Sequence, residues 1–344
     1  MTFAAVLETL IKIGVVFFVA LTAVAYLTLA ERKISGWIQD RIGPNRVGPW
    51  GLLQPLADGI KFMMKEEVVP SYAHRPIYMA APALLLISAL SALAIIPFGD
   101  RLSLGGYEVR LAIADVNIGI LFFLAMSSVG VYGIVLAGWS SNNKYAMLGG
   151  LRASAQMISY ELGLALSLIG VLMVSGSLRL SQIVEQQGSF SSWNVWSQPL
   201  GFLIFMVSAF AETNRLPFDL AEAETELVAG YHTEYSAIKF SMFYMAEYVN
   251  MITASALMAT LFFGGWQLPF PAEAAGVEGN HLALLQILCF LIKTGFFLFV
   301  FIWVRWTLPR FRYDQLMHLG WKVLLPLALL NLIWVGIGVA WGWF

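Results

Sequence analysis

The chain has 344 residues, of which 59% are hydrophobic and only 12% charged, and its formal net charge is −1. Soluble domains carry about 25% charged residues, so this composition specifies an integral membrane protein; no basic run offers nucleic acid a footing. The single cysteine, Cys289, excludes an internal disulfide and a self-contained iron–sulfur centre, and the four histidines show no zinc spacing, so no redox or metal cofactor bound by this chain alone is expected.

Near the start, Glu8 and Lys12 precede an apolar run too long for a signal-peptide core, without a small-residue cleavage site, so a retained helix is expected near 7–29. Seven more apolar segments follow, near 77–97, 116–138, 154–174, 200–217, 243–263, 283–304 and 323–343. The expectation is an all-α membrane protein of about eight spans in a single membrane domain, residues 1–344. Fifteen of the 20 Lys and Arg fall in one set of loops, which the positive-inside rule places on the inner side, with both termini opposite. Lys12, Arg101, Arg110 and Arg179 are the outer cations, and Lys293 lies within a span.

Two inner loops are long. In 31–76, Gly43, Pro44, Gly48 and Pro49 break regular structure. Leu52, Leu53, Leu56, Ile60, Met63 and Met64 then recur mainly at three and four, which predicts an amphipathic helix near 51–67, lying in the interface or against a partner. The second, 213–242, is acidic. Pro217 should end or kink the fifth span there. Asp219 with Glu222 then resembles a capping box, and Glu222, Glu224 and Glu226 suit the first turns of a new helix. Asp219, Glu222 and Glu226 would share one face, with Glu224 off it.

Capping does not account for Glu161, Glu212 and Glu247, which belong to separate apolar segments. Intramembrane acids cost at least a few kcal/mol each and normally face protein or a watery cavity, so a row of them suggests a route for protons or cations, with Arg215 as a nearby counter-charge. Glu31, Arg32 and Lys33 at the end of the first span, with Arg41, Asp58 and Lys61, form a second charged group that also suits a simple membrane anchor. The basic-aromatic loop Arg310-Phe311-Arg312-Tyr313 suits a membrane surface or a partner.

Taken together, Glu31-Arg32-Lys33, Gly43-Pro44-Asn45, Gly51-Leu52-Leu53-Gln54-Pro55, Ser159-Tyr160-Glu161, Ala211-Glu212-Thr213-Asn214-Arg215, Pro217-Phe218-Asp219, Glu226-Leu227-Val228-Ala229-Gly230, Ala246-Glu247-Tyr248 and Arg310-Phe311-Arg312-Tyr313-Asp314-Gln315 resemble the H-subunit family of respiratory complex I, which includes the first mitochondrially encoded membrane subunit. The resemblance runs from residue 31 to about 322. It implies a membrane subunit of a proton-pumping NADH:quinone oxidoreductase that anchors the peripheral redox arm and forms most of a quinone tunnel. Quinone would be the substrate, and a partner's iron–sulfur cluster would supply the electrons. Arg32, Arg41, Asp58 and Phe218 would line the tunnel. Glu212, Asp219, Glu222, Glu224 and Glu226 would lead from it into the membrane, and Glu161 and Glu247 onward to small and antiporter-like subunits. Arg310 and Arg312 would dock the peripheral arm. Length and outer loops point to a bacterial inner membrane rather than a mitochondrial one. The rival readings are the equivalent anchor of a membrane-bound hydrogenase or of a ferredoxin- or plastoquinone-linked complex, and a stand-alone ion-coupled carrier, whose paired repeats and broken helices are not seen.

Overall fold

Helix dominates because a backbone amide or carbonyl left unpaired in hydrocarbon costs several kcal/mol. The structure, a computed structural model, describes residues 3–104, 107–220, 229–270 and 279–343. In chain order its helices are α1 (Phe3–Ile38), α2 (Gln54–Met64), α3 (Arg75–Ala92), α4 (Gly119–Ser140), α5 (Lys144–Ser175) and α6 (Leu180–Gln186). There follow α7 (Asn194–Ser197), α8 (Pro199–Glu212), α9 (Ala237–Phe262), α10 (Asn280–Thr307) and α11 (Tyr313–Ala340). The strands Arg101–Leu104 and Tyr107–Arg110 pair antiparallel in a small hairpin.

A helix covers each of the eight expected segments, but only α1, α3, α4, α5, α10 and α11 are both long and apolar enough to cross a membrane. The fifth segment differs from expectation: α8 stops at Glu212 rather than 217 and has 14 residues, about 21 Å against a hydrocarbon core of about 30 Å. Two local causes end it. Asn214 turns into the left-handed region at φ 50°, and Pro217 disfavours helix at the residue before it. Helix α9 has 26 residues but carries Lys239, Glu247 and Asn250, and its second half is almost wholly buried. Its surroundings are protein, so it does not need a lipid-like composition.

Side chains finish the helix ends. Asn143 accepts the Tyr145 amide at the start of α5, and Gly176 closes it at φ 62°. At the outer end of α9, Gln187 donates to the Thr260 carbonyl at 3.1 Å and Asn194 to Leu261 at 2.8 Å. Lys293 Nζ then donates to the carbonyls of Phe263, Gly265 and Gln267 at 2.7, 3.0 and 2.7 Å, and lies 4.6 Å from the centre of the Trp193 ring. This charge inside an apolar segment is a C-terminal cap, placed where the helix dipole favours a cation. Each hydrogen bond from a charged donor contributes about 1.5–3 kcal/mol. Lys293→Met should therefore lower the thermal unfolding midpoint of the purified complex by several degrees; an unchanged midpoint would show that the cap is dispensable.

Two close backbone approaches shape the inner side. Gly51 sits at φ 77°, and a Cβ there would lie 2.2 Å from the Pro44 carbonyl oxygen, which fixes the turn before α2. A Cβ on Gly149 would lie 2.6 Å from the Gly230 Cα, so α5 seats the 229–236 segment directly against its backbone. That segment stacks Tyr235 on Tyr78 with ring centres 4.1 Å apart. It also packs a half-buried His232 against Tyr231 and Phe240, and loss of solvation pushes the imidazole down to about 4. An unfolded histidine titrates near 6.5, so its contribution is full above about pH 6.5 and is lost as pH falls toward 4. Thermal midpoints measured across that window should fall in the wild type and fall less in His232→Gln.

Candidate functional site

Helices α1, α9 and α10 and the turn after α8 bring charged groups to one buried point. Glu31, 5% exposed on α1, accepts two hydrogen bonds from Arg215 Nη1, at 3.0 and 3.1 Å, and one from the Tyr248 hydroxyl at 2.6 Å. Arg305 Nη1 binds the same carboxylate from α10. Arg215, itself 3% exposed, pairs through Nε with Glu247 and lies over the Tyr248 ring at 4.3 Å. One turn earlier on α9, the Tyr244 hydroxyl is 3.2 Å from that of Tyr248. Two carboxylates thus face two guanidiniums, with Glu31 and Arg215 nearly inaccessible and Arg305 about a quarter exposed at the edge.

A second acidic point lies three residues from Arg215. Adjacent serines on α4 divide between two acids: Ser127 Oγ donates to Glu212 at the end of α8, and Ser128 Oγ donates to Glu161 on α5. Glu212, Ser127, Ser88, Asn250 and Thr253 line a cavity with about 20 Å³ of room for a water's centre, enough for one water, which needs about 10–15 Å³. Gln156, 1% exposed and five residues before Glu161, holds the bend after α8 in place. Its Nε2 donates to the carbonyls of Ala211 and Phe218, both at 2.8 Å, and to Asn214 Oδ1 at 3.1 Å. Two carboxylates, each held by a hydroxyl, with a water-sized cavity beside Glu212, are groups that can bind and release protons.

Beyond the bend after α8, Asp219 lies in irregular chain and accepts Arg310 Nη2 at 3.1 Å. Glu222, Glu224 and Glu226, with the helix expected to carry them, lie outside the described residues. Phe218 is buried between Tyr160 and Phe311, with ring centres 5.5 and 5.4 Å away. Arg32 Nη1 reaches Asp58 Oδ2 at 2.7 Å and ties α1 to α2, while Gln54 and Lys61 hold the other oxygen at 3.2 and 3.4 Å. Partial burial pushes the Asp58 carboxyl up, but Arg32, Gln54 and Lys61 together outweigh it, so the group stays below its ordinary value and ionised at neutral pH. Arg41 turns instead to the Gln39 side chain. On α2, Leu56, Ile60, Met63 and Met64 stay 49–82% exposed, an apolar stripe that this chain leaves uncovered. Arg312 is exposed and paired with Asp314.

The structure therefore gathers Glu31, Arg215 and Glu247, sets Glu161 and Glu212 on adjacent serines of α4, and joins Arg32 to Asp58. It leaves Arg41 and Arg312 apart. Sequence reasoning passed over Tyr248, Arg305, Gln156 and the serine pair. Ser127-Ser128 in mid-span was the available signal, whereas Arg305 resembled any interfacial anchor.

Residues 11–336 match the model of the family described as NADH dehydrogenase. The chain is 50% identical to an H subunit of the NADH-quinone oxidoreductase of Cytophaga hutchinsonii, over 96% of each chain. It is 54% identical to an H subunit of the same enzyme from Geobacter metallireducens, over 95% of each. Against NADH-quinone oxidoreductase subunit 8 of Rhodothermus marinus the identity is 53%, over 93% of this chain and 94% of that one. The chain belongs to the H-subunit family of NADH-quinone oxidoreductase. It is a membrane subunit of complex I, an oxidoreductase that it builds together with other subunits, and the family resemblance carried by residues 31–322 is correct.

Proposed function

We propose that this subunit forms the wall of a quinone passage on the inner side of a bacterial inner membrane and transmits the consequences of quinone reduction to proton movement through its buried carboxylates. The observation that carries this reading is the polar seam through an apolar bundle: Glu31, Arg215 and Glu247 at one point, Glu212 and Glu161 at the next, three residues of backbone apart. A merely structural bundle would gain by replacing such groups with apolar side chains of similar volume. Electrons would come from an iron–sulfur cluster of the peripheral arm, whose docking would use the exposed Arg312 with Arg310. Small and antiporter-like membrane subunits would receive the charge displacement beyond Glu161 and Glu247.

The uncovered apolar stripe of α2 beside the Arg32–Asp58 pair supports the passage entrance: an apolar tail can follow the leucines and methionines, and the ion pair fixes the gap between α1 and α2. Arg41 and Phe218 would serve the same passage, at its mouth and inner wall. Arg32→Ala and Arg41→Ala should raise the apparent quinone KM by roughly tenfold, the loss of one charged contact. Electron transfer to an artificial acceptor placed ahead of quinone should stay normal. A parallel fall in both activities would assign these arginines to subunit assembly instead.

A further inference from the structure

Among the outer cations, Lys12 is paired with Glu8 on α1, whereas Arg101, Arg110 and Arg179 all line one cleft of about 250 Å³, more than ten times what a single water needs. Arginines on the outer side run against the bias that orients a membrane protein, so three converging on one cleft call for a cause. Acids match them in number: Asp100, Asp115 and Glu185 share the lining. Asp115 organises the centre, with Arg110 Nη1 at 3.1 Å and Arg179 Nε at 3.8 Å, and it accepts Ser181 Oγ at 2.7 Å. Arg101 Nη1 pairs at 2.9 Å with Glu108, which is outside the lining, its Nε lies 3.8 Å from Asp100, and Glu185 is exposed at the rim.

The depth of the cleft is set by the helix ends. Asp115 lies four residues before α4 and Arg179 four after α5, both helices long and apolar enough to cross a membrane, so the lining stands at the level where lipid headgroups begin. Beside it, Gln286 of α10 accepts the Asp100 amide at 3.2 Å, while Leu284 and Leu288 on adjoining turns are 57% and 53% exposed. An acyl chain could lie along that surface with its headgroup in the cleft.

We propose that this cleft seats a phosphate that carries a neighbouring ammonium, the headgroup of a zwitterionic outer-leaflet phospholipid. Guanidinium forks suit phosphate oxygens, and the interleaved carboxylates suit the ammonium and repel a purely anionic group. The test is lipid retention by the intact complex, read by native mass spectrometry after detergent washing. Wild type and Lys12→Gln should keep one phosphatidylethanolamine that Arg101→Gln with Arg179→Gln loses at least about tenfold faster. Equal retention by the double variant overturns the proposal. Release of that lipid by inorganic phosphate would make the cleft a site for a soluble anion, and preferential retention of phosphatidylglycerol would remove the zwitterion; both overturn it. Should the double variant fail to assemble, delipidated wild-type complex decides. Phosphatidylethanolamine added back should raise its thermal midpoint saturably, at one lipid per complex. An equal shift with phosphatidylglycerol or inorganic phosphate, or no shift, overturns the assignment.

Discussion

Arg215→Met should all but remove the assembled complex from the membrane. The substitution leaves Glu31 with Arg305 as its one remaining guanidinium and takes from Glu247 the guanidinium that faces it, at a point largely shielded from water. Removing one partner of a buried ion pair costs about 3–5 kcal/mol, a large share of the roughly 5–15 kcal/mol that separates a folded domain from its unfolded state. The stacking of the guanidinium on Tyr248 is lost as well. Native electrophoresis should show the full-size band reduced at least tenfold. Adding Glu247→Gln to Arg215→Met removes one of the stranded charges and should recover part of the band. Wild-type amounts of complex from the single variant would show that the two acids are held neutral without the arginine.

Glu212→Gln should behave in the opposite way, with normal assembly and poor turnover. Glutamine is nearly isosteric and can still accept the hydrogen bond from Ser127 Oγ, so the end of α8 and the Gln156 clasp should be undisturbed. It cannot bind and release a proton at this position. Groups that transfer protons typically contribute about 10²–10⁴-fold to rate, so quinone-linked turnover should fall at least tenfold per assembled complex. Electron transfer to an artificial acceptor ahead of quinone should be untouched. Ser127→Ala should cost less, because it releases the carboxylate from one orientation but leaves it titratable. Normal quinone reduction by assembled Glu212→Gln would reduce this acid to a helix-end feature.

The helical membrane architecture was legible because hydrocarbon enforces it: long apolar segments had no other way to satisfy their backbones. The shortness of α8 was not, because Leu216 and Phe218 resume the apolar pattern beyond the polar stretch 212–215, while the helix ends on the geometry of Asn214 and Pro217. The carboxylates stood out against an apolar background, so Glu161, Glu212 and Glu247 could be named from the chain. Arg215 was legible as a counter-charge and does pair with Glu247; the other partners were not legible. Glu31 and Arg305 are 274 positions apart, and each alone resembles a charge anchoring a span end. Tyr248 was read as part of a family motif, and only the fold shows its hydroxyl on Glu31. Lys293 shows the limit from the other side: the chain places this cation within a span, and only the fold shows that it caps a helix.

The central claim is that these acids tie quinone chemistry to proton movement, and the most direct measurement is proton pumping by the complex reconstituted into vesicles with Glu161→Gln and Glu212→Gln together. The expected result is that pumping and quinone-linked turnover fall together, at least tenfold, in a complex of normal size whose upstream electron transfer is unchanged. Wild-type pumping by that assembled double variant would contradict the account.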